Sequence, residues 1–523
     1  MSVVLGIGML GHDNGACLVK DGKIVAAVEE ERFSRVKHEE RFPEASIKFC
    51  LDYAGITMDA VDYVARSFLP ELAKTHLPHL IPKARMSDYP NAMYFEHHLC
   101  HAASTYYTSG FDKAKIITYD GMGEANATVA WDADGDEIVK IHEEPKNNSL
   151  GHVFTQTSFY CSFGHFGAGI VMGLSGYGSM NEDLDARISR YLLNPSEGRW
   201  YQTKNDLYET PYNLNDASLG FPTLSSLPMP FHPYCDLAYL VQRKFERSLI
   251  NIVKDVSTRE DNMCLSGGCA LNCNGNTRVS KYVKDLFIFP AANDGGTAVG
   301  AALLCAKNMG DRAWSKVENV YFGPEYMPEQ IEVALKASSM NYERVSDISG
   351  LCGELVSKGN IIGWFHGRME LGPRALGNRS ILADPRSIEV RDRVNKIKQR
   401  LWWRPLAPSI LDERREEYLE DSFESPFMLH TFKVKENKRD EVKAITHIDY
   451  STRPQTVTES HNKLLYKLIK SFESETNIPM VINTSFNVQE PIVCSPEDAI
   501  RAFKGSELDY LAIGDFLCQK KEK

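Results

Sequence analysis

Three of the chain's 15 histidines fall within five residues, in Glu96-His97-His98-Leu99-Cys100-His101. On a helix, residues four apart stand one turn apart on one face, so His97 and His101 are placed to hold a divalent ion. Two imidazoles do not complete a site, and an ordinary pair of helix histidines has the same spacing. Further ligands must come from elsewhere. Asp120 in Asp120-Gly121-Met122-Gly123-Glu124 and Asp294 in Asn293-Asp294-Gly295-Gly296-Thr297 are the carboxylates that stand out. Taken singly, each is more often a turn or N-cap aspartate.

Four glycine-bearing loops could bring backbone N–H groups against phosphate: Gly121–Gly123, Gly173–Gly178, Ser266-Gly267-Gly268 and Gly295–Gly296. Glycine marks turns as often as ligand sites, but the last two precede helical stretches, whose N-termini attract anions. From Arg368 to Arg404 there are ten Lys and Arg against four Asp and Glu, a local +6 in an acidic chain. Such a run is usually a solvated helix face. Here several arginines, Arg374 among them, lie in a Gly/Pro loop, where a guanidinium fork suits phosphate. A small phosphorylated ligand is favoured over nucleic acid, because stacking aromatics are limited to Trp402 and Trp403, for which a dry core role is as fitting. Near the C-terminus, Met480-Val481-Ile482-Asn483-Thr484-Ser485-Phe486-Asn487 reads as a buried strand entering a polar turn. Its amide and hydroxyl groups could hold an amide or carboxylate-like group, although an Asx turn is the commoner use.

These residues need elements to carry them. Val3–Gly8 is an apolar strand, followed by the polar Gly11-His12-Asp13-Asn14-Gly15 and a hairpin about Asp21-Gly22. A weaker copy follows about a hundred residues later: Ile116–Tyr119, the loop at Asp120, then a hairpin about Asp134-Gly135. The repetition predicts a duplicated α/β unit with two nucleotide-facing loops. Helical periodicity covers Glu44–Ala54, Ala102–Thr108, Leu237–Val256 and Thr297–Lys307. Glu318–Glu329 reads as a connector, and a domain boundary is expected near 325–350. After it, Gly350–Lys358 reads as a helix and Ile361–Phe365 as a buried strand.

Length and composition agree. A chain of 523 residues exceeds the size of a single core, so two or more domains are expected. Lys plus Arg is 59 against Asp plus Glu 70, a net charge of −11, which disfavours nucleic acid and anionic membranes as partners. No run of about 18 apolar residues suggests a membrane span, and the N-terminus lacks the marks of a signal peptide. The 12 cysteines form no CxxC and match no zinc module, as expected of reduced thiols in a cytoplasmic protein.

Together the motifs resemble the O-carbamoyltransferase family of the nodulation protein U, cephalosporin carbamoyltransferase and tobramycin carbamoyltransferase type. The resemblance runs nearly end to end, from Gly11-His12-Asp13 through Glu29-Glu30-Glu31-Arg32 to Pro496-Glu497-Asp498-Ala499. Its specific marks are His97…His101, Asp120-Gly121, Met172-Gly173-Leu174, Asp294-Gly295-Gly296, the run Glu370-Leu371-Gly372-Pro373-Arg374-Ala375-Leu376-Gly377-Asn378-Arg379-Ser380, Arg404-Pro405-Leu406-Ala407-Pro408-Ser409 and Asn483-Thr484-Ser485-Phe486-Asn487.

The resemblance implies a duplicated actin-like ATPase-type domain over 1–335, similar to threonylcarbamoyl-transfer enzymes, and a smaller α/β YrdC-like domain over 345–523. It implies that the second makes carbamoyl adenylate from carbamoyl phosphate and ATP, with Mg accompanying the nucleotide. There Arg374, Lys398, Arg404 and Arg453 would neutralise phosphate, and Asn483 and Thr484 would orient the carbamoyl or nucleotide group. The first would transfer the carbamoyl group to a hydroxyl of a small, secondary-metabolite-like acceptor. A metal on His97, His101, Asp120 and Asp294 would hold the adenylate; the family implies Fe(II), though such ligands also accept Zn or Mn. His12 would be the general base, since a neutral imidazole suits that task. Lys37 and the loops of Gly121, Gly123, Gly173, Gly267, Gly268 and Gly295 would contact the adenylate. Acceptor choice would lie in Ser189–Leu237. A homodimer is compatible with this reading, and a tRNA-modifying threonylcarbamoyl-transfer-like protein is the alternative. Two positions depart from the family pattern: Ile170 replaces an expected Lys, and Gln489 an expected Gly.

Overall fold

The computed structural model describes residues 2–9, 11–189, 234–312 and 315–520. The segment assigned to acceptor choice, Ser189–Leu237, falls almost wholly on 190–233, outside the described residues. The chain divides into two compact units. One comprises Met1–Ala26 and Glu40–Val317, the other Ala27–Glu39 and Glu318–Lys523.

In the first unit, β1 (Val3–Gly8) pairs antiparallel with β2 (Gly15–Lys20) and parallel with β4 (Tyr63–Arg66), which pairs parallel with β5 (Met93–Tyr94). With β3 (Lys23–Glu29) at the edge, the order is β3-β2-β1-β4-β5. The β2–β3 turn places both Asp21 and Gly22 at positive φ, the tight hairpin expected of that dipeptide. The second sheet repeats the plan. β6 (Lys113–Tyr119) pairs antiparallel with β7 (Asn126–Asp134) and parallel with β9 (Met263–Ser266). With β8 (Glu137–Pro145) and β10 (Leu286–Ile288) the order is β10-β9-β6-β7-β8. Two sheets of one topology make this the duplicated α/β unit that the repeated strand, loop and hairpin predict. Each sheet ends its first strand in a polar loop, at His12-Asp13 after β1 and at Asp120 after β6.

Two helices bring the loops' residues together. Helix Thr297–Asn308 lies against β1 so closely that a Cβ on Gly6 would come 2.1 Å from the Ala298 carbonyl. The other helix, His97–Tyr106, begins five residues before the start that periodicity suggests. Its N-terminal N–H is satisfied from afar: His97 N donates to Glu124 Oε2 at 3.1 Å. A carboxylate there replaces a local cap and complements the helix dipole.

The second unit is also α/β. It holds β11 (Asn341–Arg344), β12 (Ile362–Phe365), β13 (Arg379–Ala383) and β14 (Ala407–Leu411). A separate small pair, β15 (Phe432–Lys433) and β16 (Ser451–Thr452), precedes β17 (Gln455–Val457) and β18 (Met480–Ser485). Last come β19 (Tyr510–Ile513) and β20 (Phe516–Gln519). The eight-stranded sheet has the order β11-β20-β19-β12-β13-β18-β14-β17. Helices Ile348–Ser357 and Lys463–Thr476 share one core with it, built on Trp364, Phe472, Val481 and Ile482. Residues 27–39 are tied into this unit by their arginines: Arg32 donates to the Gly372 carbonyl and Arg35 to the Ile492 carbonyl, each at 2.8 Å.

Candidate active site

In the first unit, His97, His101, Asp120 and Asp294 converge, each offering one donor atom within 4.8 Å of the others. The distances are 3.1 Å between the two Nε2 atoms, 3.6 and 3.2 Å from them to Asp120 Oδ2, and 3.5 and 3.4 Å to Asp294 Oδ1. Four donors held about 2.1 Å from a tetrahedral ion stand about 3.4 Å apart, so the edges match such an ion's shell. The donor set, two imidazoles and two carboxylates, carries the charge a divalent cation needs. Both imidazoles are fully buried. His101 Nδ1 lies 3.3 Å from Ser266 Oγ, which fixes the ring with Nε2 toward the cluster.

The local folding explains the convergence. Helix His97–Tyr106 supplies both imidazoles one turn apart. Asp120 ends β6, and its other oxygen accepts Gly121 N at 2.6 Å. Asp294 opens the turn before helix Thr297–Asn308. Gly267, at φ +92°, lets the chain leave β9 past the Tyr119 carbonyl, where a Cβ would lie 2.2 Å away. Gly268 then sits beside the Asp120 carboxylate, and Gly121 and Gly123 sit beside His152 and His98. Gly295 lies in the Asp294 turn, and Gly173 near the end of helix Ala168–Leu174, which also carries Ile170.

Burial opposes charge on His101, but Asp120 and Asp294 outweigh it and hold the imidazole up at about 9. Burial likewise opposes ionisation of Asp120, yet His101 and His97 keep its carboxyl well below the usual range. His98, buried beside two other imidazoles, is pushed down to about 3. It faces away from the cluster, with its ring nitrogens near Thr118 Oγ1 and the Asn126 carbonyl, so the third histidine is structural.

His12 lies in the loop after β1, with Nδ1 3.2 Å from Asp13 Oδ2. Burial works against its charge, but Asp13, Asp294 and Asp120 together raise it to about 9. Three further groups were not singled out: Glu124, which anchors His97; Ser266, which orients His101; and His152, pushed down to about 4 by burial. Glu124 adjoins one glycine loop already marked and Ser266 opens another, the one signal that could have found their roles.

In the second unit a cluster of cations forms. Burial lowers Lys398 well below the usual lysine range, and Arg400, Lys37 and Arg404 add to it. Arg400 is lowered by burial, then Arg404 and Arg453; Arg404 by burial, then Arg453. Like charges crowded in this way, with Glu490 opposing the effect at Lys398, form a site for a polyanion. Lys398 spends its ammonium on Ser485 and Asn487, so it pins the turn after β18. Arg453 Nε is buried with no partner among the described residues. Arg374 is half-buried in the loop between β12 and β13, and Thr484 half-buried on β18. Asn483 is buried on β18. Lys37 belongs to this unit with 27–39. Gln489, in place of the expected Gly, donates to the Lys398 and Gln399 carbonyls at 2.9 Å and so braces the cation-bearing turn.

Two family models match the sequence: carbamoyltransferase N-terminus over residues 3–77 and 65–303, and carbamoyltransferase C-terminus over 353–520. An uncharacterized protein of Synechocystis sp. is 34% identical, covering 99% of this chain and 97% of its own. Nodulation protein NolNO of Sinorhizobium fredii is 35% identical over 98% of this chain and 79% of its own. The 3'-hydroxymethylcephem-O-carbamoyltransferase of Amycolatopsis lactamdurans is 32% identical over 68% and 65%.

Proposed function

We propose a two-step activity for this chain, which belongs to the carbamoyltransferase family and is an enzyme of that class. The second unit makes carbamoyl adenylate from carbamoyl phosphate, ATP and water. Water releases phosphate from carbamoyl phosphate, the carbamate oxygen attacks the α-phosphorus, and pyrophosphate leaves. Arg404 and Arg453 neutralise the phosphates, Arg374 and Lys398 add charge around them, and Asn483 and Thr484 orient the carbamoyl end. A Mg ion accompanies the nucleotide.

In the first unit the hydroxyl of a small acceptor attacks the carbamoyl carbon, and AMP leaves. A divalent cation, Fe(II) by family likeness, supplies Lewis-acid stabilisation of the phosphate when bound. His97, His101, Asp120 and Asp294 would hold it; the Gly121, Gly268 and Gly295 loops approach the nucleotide. His12 Nε2 takes the hydroxyl proton, because Nδ1 is engaged by Asp13. The acceptor is a hydroxylated small metabolite. No helix among the described residues is long and apolar enough to cross a membrane. The twelve free thiols suit a reducing cytoplasm.

The convergence of four ligand-type donors on one point carries this reading. Its test supplies protein, ATP, carbamoyl phosphate and a panel of hydroxylated acceptors, then follows pyrophosphate and acceptor mass. Pyrophosphate release is expected, with a carbamoyl mass gain on an accepted hydroxyl. No pyrophosphate under any condition refutes the adenylate route. His97→Ala is expected to abolish transfer and spare pyrophosphate release; loss of both refutes the division of labour.

A further inference from the structure

Asn483 presents a buried acceptor with a fixed identity. Its side chain is 1% exposed, and Oδ1 has no hydrogen-bond partner among the described residues. The oxygen and nitrogen of an amide are nearly the same size, so the identity of that atom comes from its neighbours. The neighbours settle it. Gln455 Nε2 donates to the Leu376 carbonyl at 2.7 Å, and a backbone carbonyl can only accept. Gln455 therefore turns Oε1 the other way, where it accepts from Ser409 Oγ at 2.7 Å and from Asn483 Nδ2 at 3.0 Å. Ser409 Oγ, its proton given to Gln455, accepts the second Asn483 N–H at 2.9 Å. Both donors of Asn483 are thereby used, and Oδ1 is left as a pure acceptor.

The position of this acceptor narrows what it serves. Asn483 and Ser485 are two apart on β18 and share one face of the sheet. Ser485 Oγ takes Lys398 Nζ at 3.0 Å, so the acceptor stands two residues, about 7 Å along the strand, from the residue that meets the cation cluster. The amino group of carbamoyl phosphate, separated from phosphorus by one carbonyl carbon and one oxygen, reaches both; the amino group of a base stands a ribose further from the phosphates. A buried acceptor left unpaired is penalised, and one facing another acceptor is penalised more.

We propose that Gln455 is a positioning residue that makes Asn483 Oδ1 select the amino group of carbamoyl phosphate. It rejects acyl phosphates that carry a methyl or an oxygen in its place. The proposal rests on the reading that the second unit takes carbamoyl phosphate, and it adds the relay Leu376–Gln455–Ser409–Asn483 as the source of selectivity.

The test measures binding of carbamoyl phosphate and acetyl phosphate to the full chain by calorimetry, with pyrophosphate release followed separately. Wild type is expected to prefer carbamoyl phosphate by roughly ten- to a hundredfold, the value of one buried hydrogen bond. Gln455→Leu removes the Oε1 that fixes the Asn483 amide; it should shrink that preference toward unity and raise KM for carbamoyl phosphate while KM for ATP stays put. Equal binding of the two acyl phosphates by wild type, or an unchanged preference in Gln455→Leu, overturns the proposal. If Gln455→Leu does not fold, Ser409→Ala decides: a reduced preference supports the relay and an unchanged one overturns it. An ATP-against-GTP comparison separates the sources. If Gln455→Leu changes base preference and leaves acyl preference intact, Asn483 reads the nucleobase and the proposal fails. Absence of pyrophosphate with selective binding intact would instead count against the adenylate route alone.

Discussion

Gly300 passes the Cys100 carbonyl so closely that a Cβ would lie 1.8 Å from the oxygen. This contact locks helix Thr297–Asn308, which follows Asp294, against helix His97–Tyr106, which carries both imidazoles. The obstacle is backbone, which cannot rotate aside. Gly300→Ala should therefore part the helices, lower stability by about 1–3 kcal/mol and weaken cation binding at the four donors. Urea unfolding and spectroscopic titration with Co(II) read the two effects. A variant that binds Co(II) like wild type would show that this crossing does not set the site.

Removing the cation should separate the two steps. Treatment with phenanthroline, which takes transition metals and leaves Mg largely alone, is expected to stop carbamoyl transfer while pyrophosphate release continues. Restoring Fe(II) should restore transfer. If transfer persists after metal analysis shows the protein stripped, the four donors are structural.

The cations of the second unit differ in what they face, and that predicts unequal effects. Arg404 and Arg453 crowd one another. Lys396 is instead paired with Glu507 at 3.0 Å on the surface. Arg453→Ala should cut pyrophosphate release by roughly tenfold to a hundredfold by removing a phosphate partner. Lys396→Ala should leave it unchanged, since exposed pairs contribute little. Equal losses in the two variants would mean that net charge, not a formed site, is being read.

The same contrast shows what the sequence could reveal. The +6 stretch was legible as charge, but not which members converge. Arg386 pairs with Asp384, Arg393 with Asp509, and Arg379 serves the His366 and Pro324 carbonyls; only the folded partners distinguish these from Arg400 and Arg404. The two hairpins were readable because Asp-Gly turns are local chemistry, and the repeat of sheet order follows from them. The start of the helix at His97 was not, because its cap comes from Glu124, 27 residues away. His98 had the same type and neighbourhood as the paired imidazoles, and only its rotation about the helix separates it from them. Residues 27–39 read as part of the first unit's strand run, yet Arg32 and Arg35 bind carbonyls hundreds of positions later.

Acid should loosen the second unit through two buried imidazoles. Burial pushes His430 down to about 4, and burial with the Arg379 charge pushes His366 down to about 3. In the unfolded chain each titrates near its ordinary 6.5. Below that pH the unfolded state takes up protons that the folded state refuses. Stability is therefore full above about 6.5 and falls as pH drops toward 4, by something of order 3 kcal/mol for each histidine. His430 Nδ1 lies 3.5 Å from Ser425 Oγ, and Asn keeps a polar atom near that place. His430→Asn should flatten the dependence of urea-unfolding stability on pH between 6.5 and 4. A slope as steep as that of wild type would mean that His430 is already charged, or solvated, in the folded protein.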